Sequence, residues 1–306
     1  MNIILFCLPL YGKAVIQKLI EQGMPPSFIV GPAKSYPLFD KMLETAHEYN
    51  LPVIMFDQKP DEEAFVKRIN ELSPDLIISA SYPHLLPDSI LSAAKIAAVN
   101  AHPSLLPEYR GASPCFHVIA NGEQETGVTL HLLDNHFDTG NIITQKKYAI
   151  KARETQASLE QNMSRITADM IVDFIKTVEA TGMPKTIKQT EGTYIKAPAV
   201  KLPLPVLNWN QSSAQIDRLI RAANLYYAVM TYLNNKPIFI FSGRPVKSTS
   251  KNLKVGQIES IDELGMRVST KDGAYLITSL EYPDFWHGDP LGLFELELIN
   301  INDCFS

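Results

Sequence analysis

Through its first hundred residues the chain alternates short apolar runs with amphipathic stretches. Asn2–Leu8 is continuously apolar, as expected of a strand covered on both faces of a parallel sheet. Gly12–Gln22 has helical spacing and is closed by Gly23, a residue that suits a helix C-terminus. Ser27–Val30, Pro52–Phe56, Asp75–Ala80 and Ala97–Asn100 read as further strands, with helices over Leu38–Tyr49 and Glu62–Leu72 between them. Strands separated by helices of this length build βαβ units, and hence a Rossmann-like, doubly wound α/β domain with a mostly parallel sheet.

Past residue 110 the pattern changes. Ser113–Ala120 is helical, Gly127–Leu133 and Asn141–Ile150 are strand-like, and Thr155–Thr181 is one long amphipathic helix. Its positions Leu159, Met163, Ile166, Met170, Ile171, Phe174, Ile175 and Val178 keep the three-and-four spacing of a buried stripe. Residues 182–206 are rich in proline, glycine and polar residues; Pro198, Pro203 and Pro205 suit neither a helix nor a central strand. The domain reading is therefore 1–185, a linker at 186–206, and a C-terminal domain at 207–306. That last part opens with a helix at Ser213–Ala223. Strand-like segments follow at Ile238–Ser242, Lys254–Ile261, Met266–Thr270, Ala274–Leu280 and Leu293–Ile299, with a hairpin turn at Lys271–Gly273. Five short strands in a hundred residues predict a small OB-like β-barrel.

Composition narrows the function. The 306 residues carry a formal net charge of −5, and no run of Lys or Arg exceeds two, which tilts against a protein held to nucleic acid by phosphate neutralisation alone. Cys7, Cys115 and Cys304 are scattered, a pattern of reduced packing cysteines and of neither a disulfide framework nor a metal cluster. The apolar N-terminus is too short for a membrane span and lacks a basic flank; the expectation is a cytoplasmic protein with no metal and no membrane partner.

Candidate chemistry concentrates between residues 97 and 138. Asn100 and His102 lie two apart at the end of a strand, so their side chains share a face, and ligands of doubly wound sheets bind beyond such strand ends. Asp138 sits in a turn, His136–Asn141, with Gly140 allowing a tight path. An amide and an imidazolium can stabilise a carbonyl oxygen as it turns negative, and a carboxylate can take the proton of an attacking amine. Together the three suit acyl transfer to an amine. Taken singly, each also has an ordinary role: strand-end cap, structural histidine, turn residue.

The stretch Asn100–Pro114 (NAHPSLLPEYRGASP), followed by Gly122–Leu133 and Asp138–Ile143, resembles the active-site signature of the folate-dependent formyltransferases. That superfamily acts on methionyl-tRNA, glycinamide ribonucleotide and amino sugars, and includes hydrolases of formyltetrahydrofolate. The resemblance implies an N-formyltransferase with 10-formyltetrahydrofolate as donor and Asn100, His102 and Asp138 as catalytic residues. It also implies a pterin-holding loop at His84, Leu85, Leu86 and Pro87 after the fourth strand. A second loop, Leu133, Asp134, Asn135, His136 and Phe137, would close from the other side. Ser104, Tyr109 and Arg110 are candidates for the acceptor site, Arg110 through the planar fork that suits phosphate or carboxylate.

For the acceptor, Asn208–Leu233 resembles the start of the C-terminal domain of the methionyl-tRNA enzymes, a domain that some amino-sugar enzymes share. Two departures point away from tRNA. Where the tRNA enzymes carry a basic, glycine-rich insertion, this chain has the short Gly31–Met42 with two lysines, and Asn224–Val229 replaces a Trp-Pro-Gly turn. The expected acceptor is therefore a small amine, foremost a nucleotide-linked amino sugar. Initiator Met-tRNA is the alternative, and hydrolysis of 10-formyltetrahydrofolate the lesser one.

Overall fold

A computed structural model of the chain describes residues 1–32, 38–56, 62–190, 192–224, 226–249 and 252–306. The chain divides into two compact units, the first formed by residues 1–114, 124–150 and 160–198. In it β1 (Ile3–Cys7), β2 (Phe28–Pro32), β3 (Val53–Phe56), β4 (Leu76–Ala80) and β5 (Ala97–His102) run parallel. β6 (Glu125–Leu132) and β7 (Ile142–Ala149) complete the sheet antiparallel, in the order β3-β2-β1-β4-β5-β6-β7. The predicted Rossmann-like sheet is the one observed. β1, β2 and β4 are buried at every position, because helices cover both faces of a parallel sheet and leave no polar side.

Helix α1 (Pro9–Glu21) starts three residues before the predicted Gly12. Pro9 is the reason: its fixed φ and missing N–H are compatible with a first helical turn. α2 (Phe39–Glu48), α3 (Glu62–Leu72) and the single turn α4 (Asp88–Leu91) follow, and the long helix α6 (Gln156–Thr181) buries the predicted stripe except Ile166, which is half-buried. An apolar cluster including Ile4, Phe6, Phe28, Phe65, Ile77 and Tyr82 lies between these strands and α3. The same cluster takes in Leu86, and Leu133 rests against it. β5 runs two residues past the predicted Asn100, so His102 too is held by strand pairing, its register partner on β6 being Thr129.

The stretch read as a linker is in its first part woven into this unit. Ile187 bridges Ile142, with each N–H donating to the other's carbonyl at 2.8 Å. Lys196 bridges Arg110; Tyr109 N donates to Ile195 O at 2.7 Å and Ala197 N to Arg110 O at 2.8 Å. Proline bars a helix or a central strand but leaves isolated bridges between its neighbours open.

The second unit comprises residues 115–123, 151–159 and 199–306. It includes most of α5 (Pro114–Asn121) and, after a capping box formed by Ser212 and Gln215, helix α7 (Ser213–Ala223). Its strands are β8 (Val229–Leu233), β9 (Lys236–Val246), β10 (Ile258–Asp262), β11 (Gly265–Ser269), β12 (Ala274–Tyr282) and β13 (Trp286–Gly288). They pair antiparallel in the order β10-β11-β12-β9-β8, with β13 on β12. The C-terminus closes the ring: Phe305 bridges Leu233 at one edge, and Cys304 bridges Gln257 just before β10 at the other. Two sequence expectations change. Leu293–Ile299 is not a strand: Asp289 caps the short helix α8 (Pro290–Glu295) through the N–H groups of Leu291 and Gly292. An unexpected strand, β8, hairpins onto β9 through Asn234 and Asn235, both at positive φ, the conformation that makes Asn frequent in two-residue turns.

Candidate active site

β5 delivers Asn100 and His102 to one buried point, 8% and 5% exposed. Opposite Asn100 in the β5–β6 register stands His131, 1% exposed. His131 Nδ1 lies 2.8 Å from the Leu132 carbonyl, which can only accept, so that nitrogen carries the proton. Nε2 is then the acceptor for Asn100 Nδ2–H, at 3.2 Å. This bond fixes the amide: one N–H is committed to His131, the second is free. The amide oxygen Oδ1 is buried with no hydrogen-bond partner, an expensive state for a polar atom unless a ligand supplies a donor.

His102 Nε2 donates to the Tyr109 carbonyl at 2.9 Å, and Nδ1 faces Asp138 Oδ1 at 3.4 Å. Both ring nitrogens thus have protein partners, and a proton on Nδ1 makes the second contact an ion pair. His131 Nε2 is 3.8 Å from the same carboxylate oxygen. Burial pushes the His131 imidazole down to about 4, against the opposing pull of Asp138. It is the neutral ring that the hydrogen-bond pattern requires.

Asp138 reaches this point through an unusual turn. Its φ is +58°, a conformation few side-chain-bearing residues adopt but one that Asp tolerates. Four groups hold it. Oδ1 faces His102; Oδ2 accepts from Gly111 N at 2.9 Å. Its carbonyl accepts from Gln189 Nε2 at 2.9 Å, and Gly140 O takes the same amide at 2.8 Å. The fourth is steric: a Cβ on Gly140 would lie 1.8 Å from Leu132 O, so only glycine lets the loop return this close to β6. Gly111, at φ +125°, faces Ala197 O with the same constraint.

The loop residues take different positions. Of the segment after β4, Leu86 is buried in the apolar cluster, while His84, Leu85 and Pro87 are half-buried. The His84 ring meets Tyr82 edge-on at 5.5 Å, and Pro87 precedes α4. Across from it, Leu133 is anchored by its N–H on Ala98 O and by the cluster. The Asp134 carboxylate accepts from Thr139 Oγ1 at 2.8 Å and from His136 N at 3.1 Å, which ties this loop into an arch. Asn135, His136 and Phe137 stand exposed on it, Phe137 at 57%. Ser104 is buried and donates to Glu108 O at 2.7 Å. Tyr109 serves through its carbonyl, and Arg110 bonds Gln189.

The sequence reading missed His131, Gln189 and Gly111. For His131 a signal existed: strand alternation puts it on the face of Asn100 once β5 and β6 are paired. For Gln189 and Gly111 none did, because their partners lie far away in sequence: Gly111 N meets the Asp138 carboxylate, and Gln189 meets Arg110 and the Asp138 and Gly140 carbonyls.

Compared with known proteins, residues 14–175 match the family model described as formyl transferase, and residues 205–285 match that of the formyl transferase C-terminal domain. A methionyl-tRNA formyltransferase of Caldicellulosiruptor saccharolyticus is 28% identical over 289 residues, 92% of each chain. Among solved structures, the sugar 3N-formyl transferase WlaRD, crystallised in the presence of dTDP and 5-N-formyl-THF, aligns with a TM-score of 0.67 at 20% identity, covering 95% of this chain and 98% of that one. HypX from Aquifex aeolicus, solved with tetrahydrofolic acid, gives 0.67 at 18% identity over 97% of this chain; the chain spans about half of HypX, 48%. At these identities the structural likenesses speak for the fold.

Proposed function

The chain belongs to the formyl transferase family, a folate-dependent formyl-transferring enzyme, and on that premise we propose that it formylates the amine of initiator Met-tRNA from 10-formyltetrahydrofolate. The activity rests on one observation above all: an amide and an imidazole from β5 meet a carboxylate from the Asp138 turn at a buried point. The acceptor rests on the relatives: the methionyl-tRNA enzyme aligns across nine-tenths of both chains, and both of the family's domains are matched. This revises the preference for an amino sugar drawn from sequence. Of the departures that favoured it, the short segment Gly31–Met42 lies partly outside the described residues, and so does Leu225 within Asn224–Val229.

When bound, the folate supplies an activated formyl group. Asn100 directs its free N–H at the formyl oxygen as negative charge develops there. Its partnerless Oδ1 accepts an N–H of the incoming amine. The imidazole of His102 holds Asp138 and, once protonated, places positive charge beside the oxygen. Asp138 takes the amine's proton directly or through one water, and the same carboxyl, held against His102 Nδ1, returns a proton to the leaving amine. The reading gives His84, Leu85, Leu86 and Pro87 the pterin's one side and Leu133–Phe137 the other. The half-buried His84 and Leu85, followed by Leu86 held in the apolar cluster, and the exposed ring of Phe137 fit a flat heterocycle.

A nucleotide-linked amino sugar is the second reading, favoured by the net charge of −5. Incubation with 10-formyltetrahydrofolate and either charged initiator tRNA or a panel of nucleotide-linked 4-amino sugars separates them. Formylated Met-tRNA at rates of about 1 s⁻¹ or more is the expected result. Product from a sugar alone sinks the tRNA reading, and formate release without any acceptor identifies a hydrolase.

A further inference from the structure

Beyond the Asp138 turn the first unit contains a cavity of about 640 Å³, a size in the range that holds small ligands. One wall is formed by residues 132–134 and 139–141, the other by the segment around Lys188–Tyr194. Among the described residues three charged side chains line it: Arg110, Lys188 and Asp134. Asp134 is already engaged by Thr139 and His136, and Lys188 is exposed.

Arg110 is half-buried, and among the described residues no carboxylate pairs with it. Its Nε and Nη2 both donate to the neutral Gln189 Oε1, and its plane lies 5.3 Å from the centroid of the Tyr194 ring. Among the described residues its side-chain hydrogen-bond partner is a neutral amide, and its planar fork is shaped for an oxyanion. Gln189, 7% exposed, has one possible orientation. Its oxygen must face the guanidinium, since Arg offers only donors, and its Nε2 must face the Asp138 and Gly140 carbonyls, which only accept. One amide therefore links the cavity's cation to the backbone of the proposed proton acceptor.

We propose that this cavity is an oxyanion subsite, in which Arg110 binds a phosphate of the acceptor and Gln189 acts as the positioning residue that ties its occupancy to the Asp138 turn. The inference rests on the proposed transfer to a phosphate-bearing amine, a property that charged tRNA and nucleotide sugars share. An oxyanion fastened to Arg110 immobilises the guanidinium, then the Gln189 amide, then the Asp138 carbonyl. The carboxylate thereby meets the acceptor's amine in one geometry. A carboxylate from the folate's glutamate tail is the other source of the same chemistry, and affinities measured ligand by ligand tell the two apart.

The test titrates the full-length protein calorimetrically with pyrophosphate at low salt and, separately, with 5-formyltetrahydrofolate. Arg110→Met, which keeps the stem on Tyr194, is expected to weaken pyrophosphate at least about tenfold, the scale of one lost bidentate contact, with folate affinity unchanged. If Arg110→Met does not fold, Arg110→Lys retains the charge without the fork and is expected to weaken pyrophosphate about threefold or more. Gln189→Leu is expected to keep both affinities and lower kcat about tenfold, the split of a group acting through Asp138. Equal pyrophosphate affinity in wild type and variant, no pyrophosphate binding by the wild type, or a loss that falls on the folate instead overturns the subsite. An unchanged kcat in Gln189→Leu overturns the coupling. Pyrophosphate binding through Arg110 in a protein that formylates neither acceptor upholds the subsite and removes the proposed reaction.

Discussion

His131 fixes which way the Asn100 amide faces, and the role proposed for Asn100 at a carbonyl oxygen depends on that orientation. The cost is a histidine kept neutral in the interior, and that cost has a pH signature. The His131 imidazole is pushed down to about 4 from an ordinary 6.5. Between those values the unfolded chain binds a proton that the folded one does not, so stability rises with pH across the window and is lost on acidification. Unfolding free energies from urea melts at pH 7 and pH 5 should differ by roughly 1–2 kcal/mol more in the wild type than in His131→Gln. The glutamine carbonyl can still accept from Asn100, so this variant should retain much of its turnover, whereas His131→Phe should lose about tenfold or more. Equal pH dependence in wild type and His131→Gln would show that this ring carries no such cost.

At the scale of elements, much of the arrangement was readable and its most functional part was not. The uninterrupted apolar runs of β1 and β4 and the turn punctuation between them specify a parallel sheet, because burial on both faces leaves a one-dimensional trace. The Asn-x-His pair is legible for the same reason: strand parity is a local rule. The route of residues 187–197 follows no local rule. Its proline and polar content describes a segment without ladder neighbours on both sides, yet Gln189 fastens it to the Asp138–Gly140 turn and the bridges at Ile187 and Lys196 fasten it to Ile142 and Arg110. Leu293 was misread because a short apolar run fits a strand or a helix equally, and Asp289 with Pro290 decided for the helix. The Gly140 crossing is where loop and strand approach most closely. Gly140→Ala must displace either Leu132 or the Asp138 turn, at an expected 1–3 kcal/mol or somewhat more, about the cost of overpacking, with turnover falling alongside. A urea melt and a kcat both matching wild type would mean that the loop has slack.

For the whole molecule, closure is the recurring device. In the second unit the last residues join both sheet edges: Ser306 N donates to Tyr232 O at 2.9 Å and Phe305 N to Gly256 O at 2.9 Å. The Phe305 ring stacks on Trp209 at 5.4 Å, and Trp209 Nε1 donates to Thr231. Removing residues 303–306 opens two strand edges to water and to pairing with other chains. The Trp209 emission should shift to the red and the protein should aggregate on warming; an unshifted spectrum and an unaltered melt would show that the ring closes without these residues. In the first unit, closure brings the strand end carrying Asn100 and His102 to a turn more than thirty residues on, and everything proposed about the reaction depends on that meeting. Asp138→Asn keeps the shape, the tolerance for positive φ and an oxygen for Gly111 N, and removes the capacity to take a proton together with the negative charge that faces His102. Single-turnover formyl transfer by this variant, beside its affinity for 5-formyltetrahydrofolate, is the decisive measurement. The account predicts transfer slowed by about 10³-fold or more, within the range for loss of a positioned general base, with folate affinity within a few-fold of wild type; transfer at a near-normal rate would contradict it.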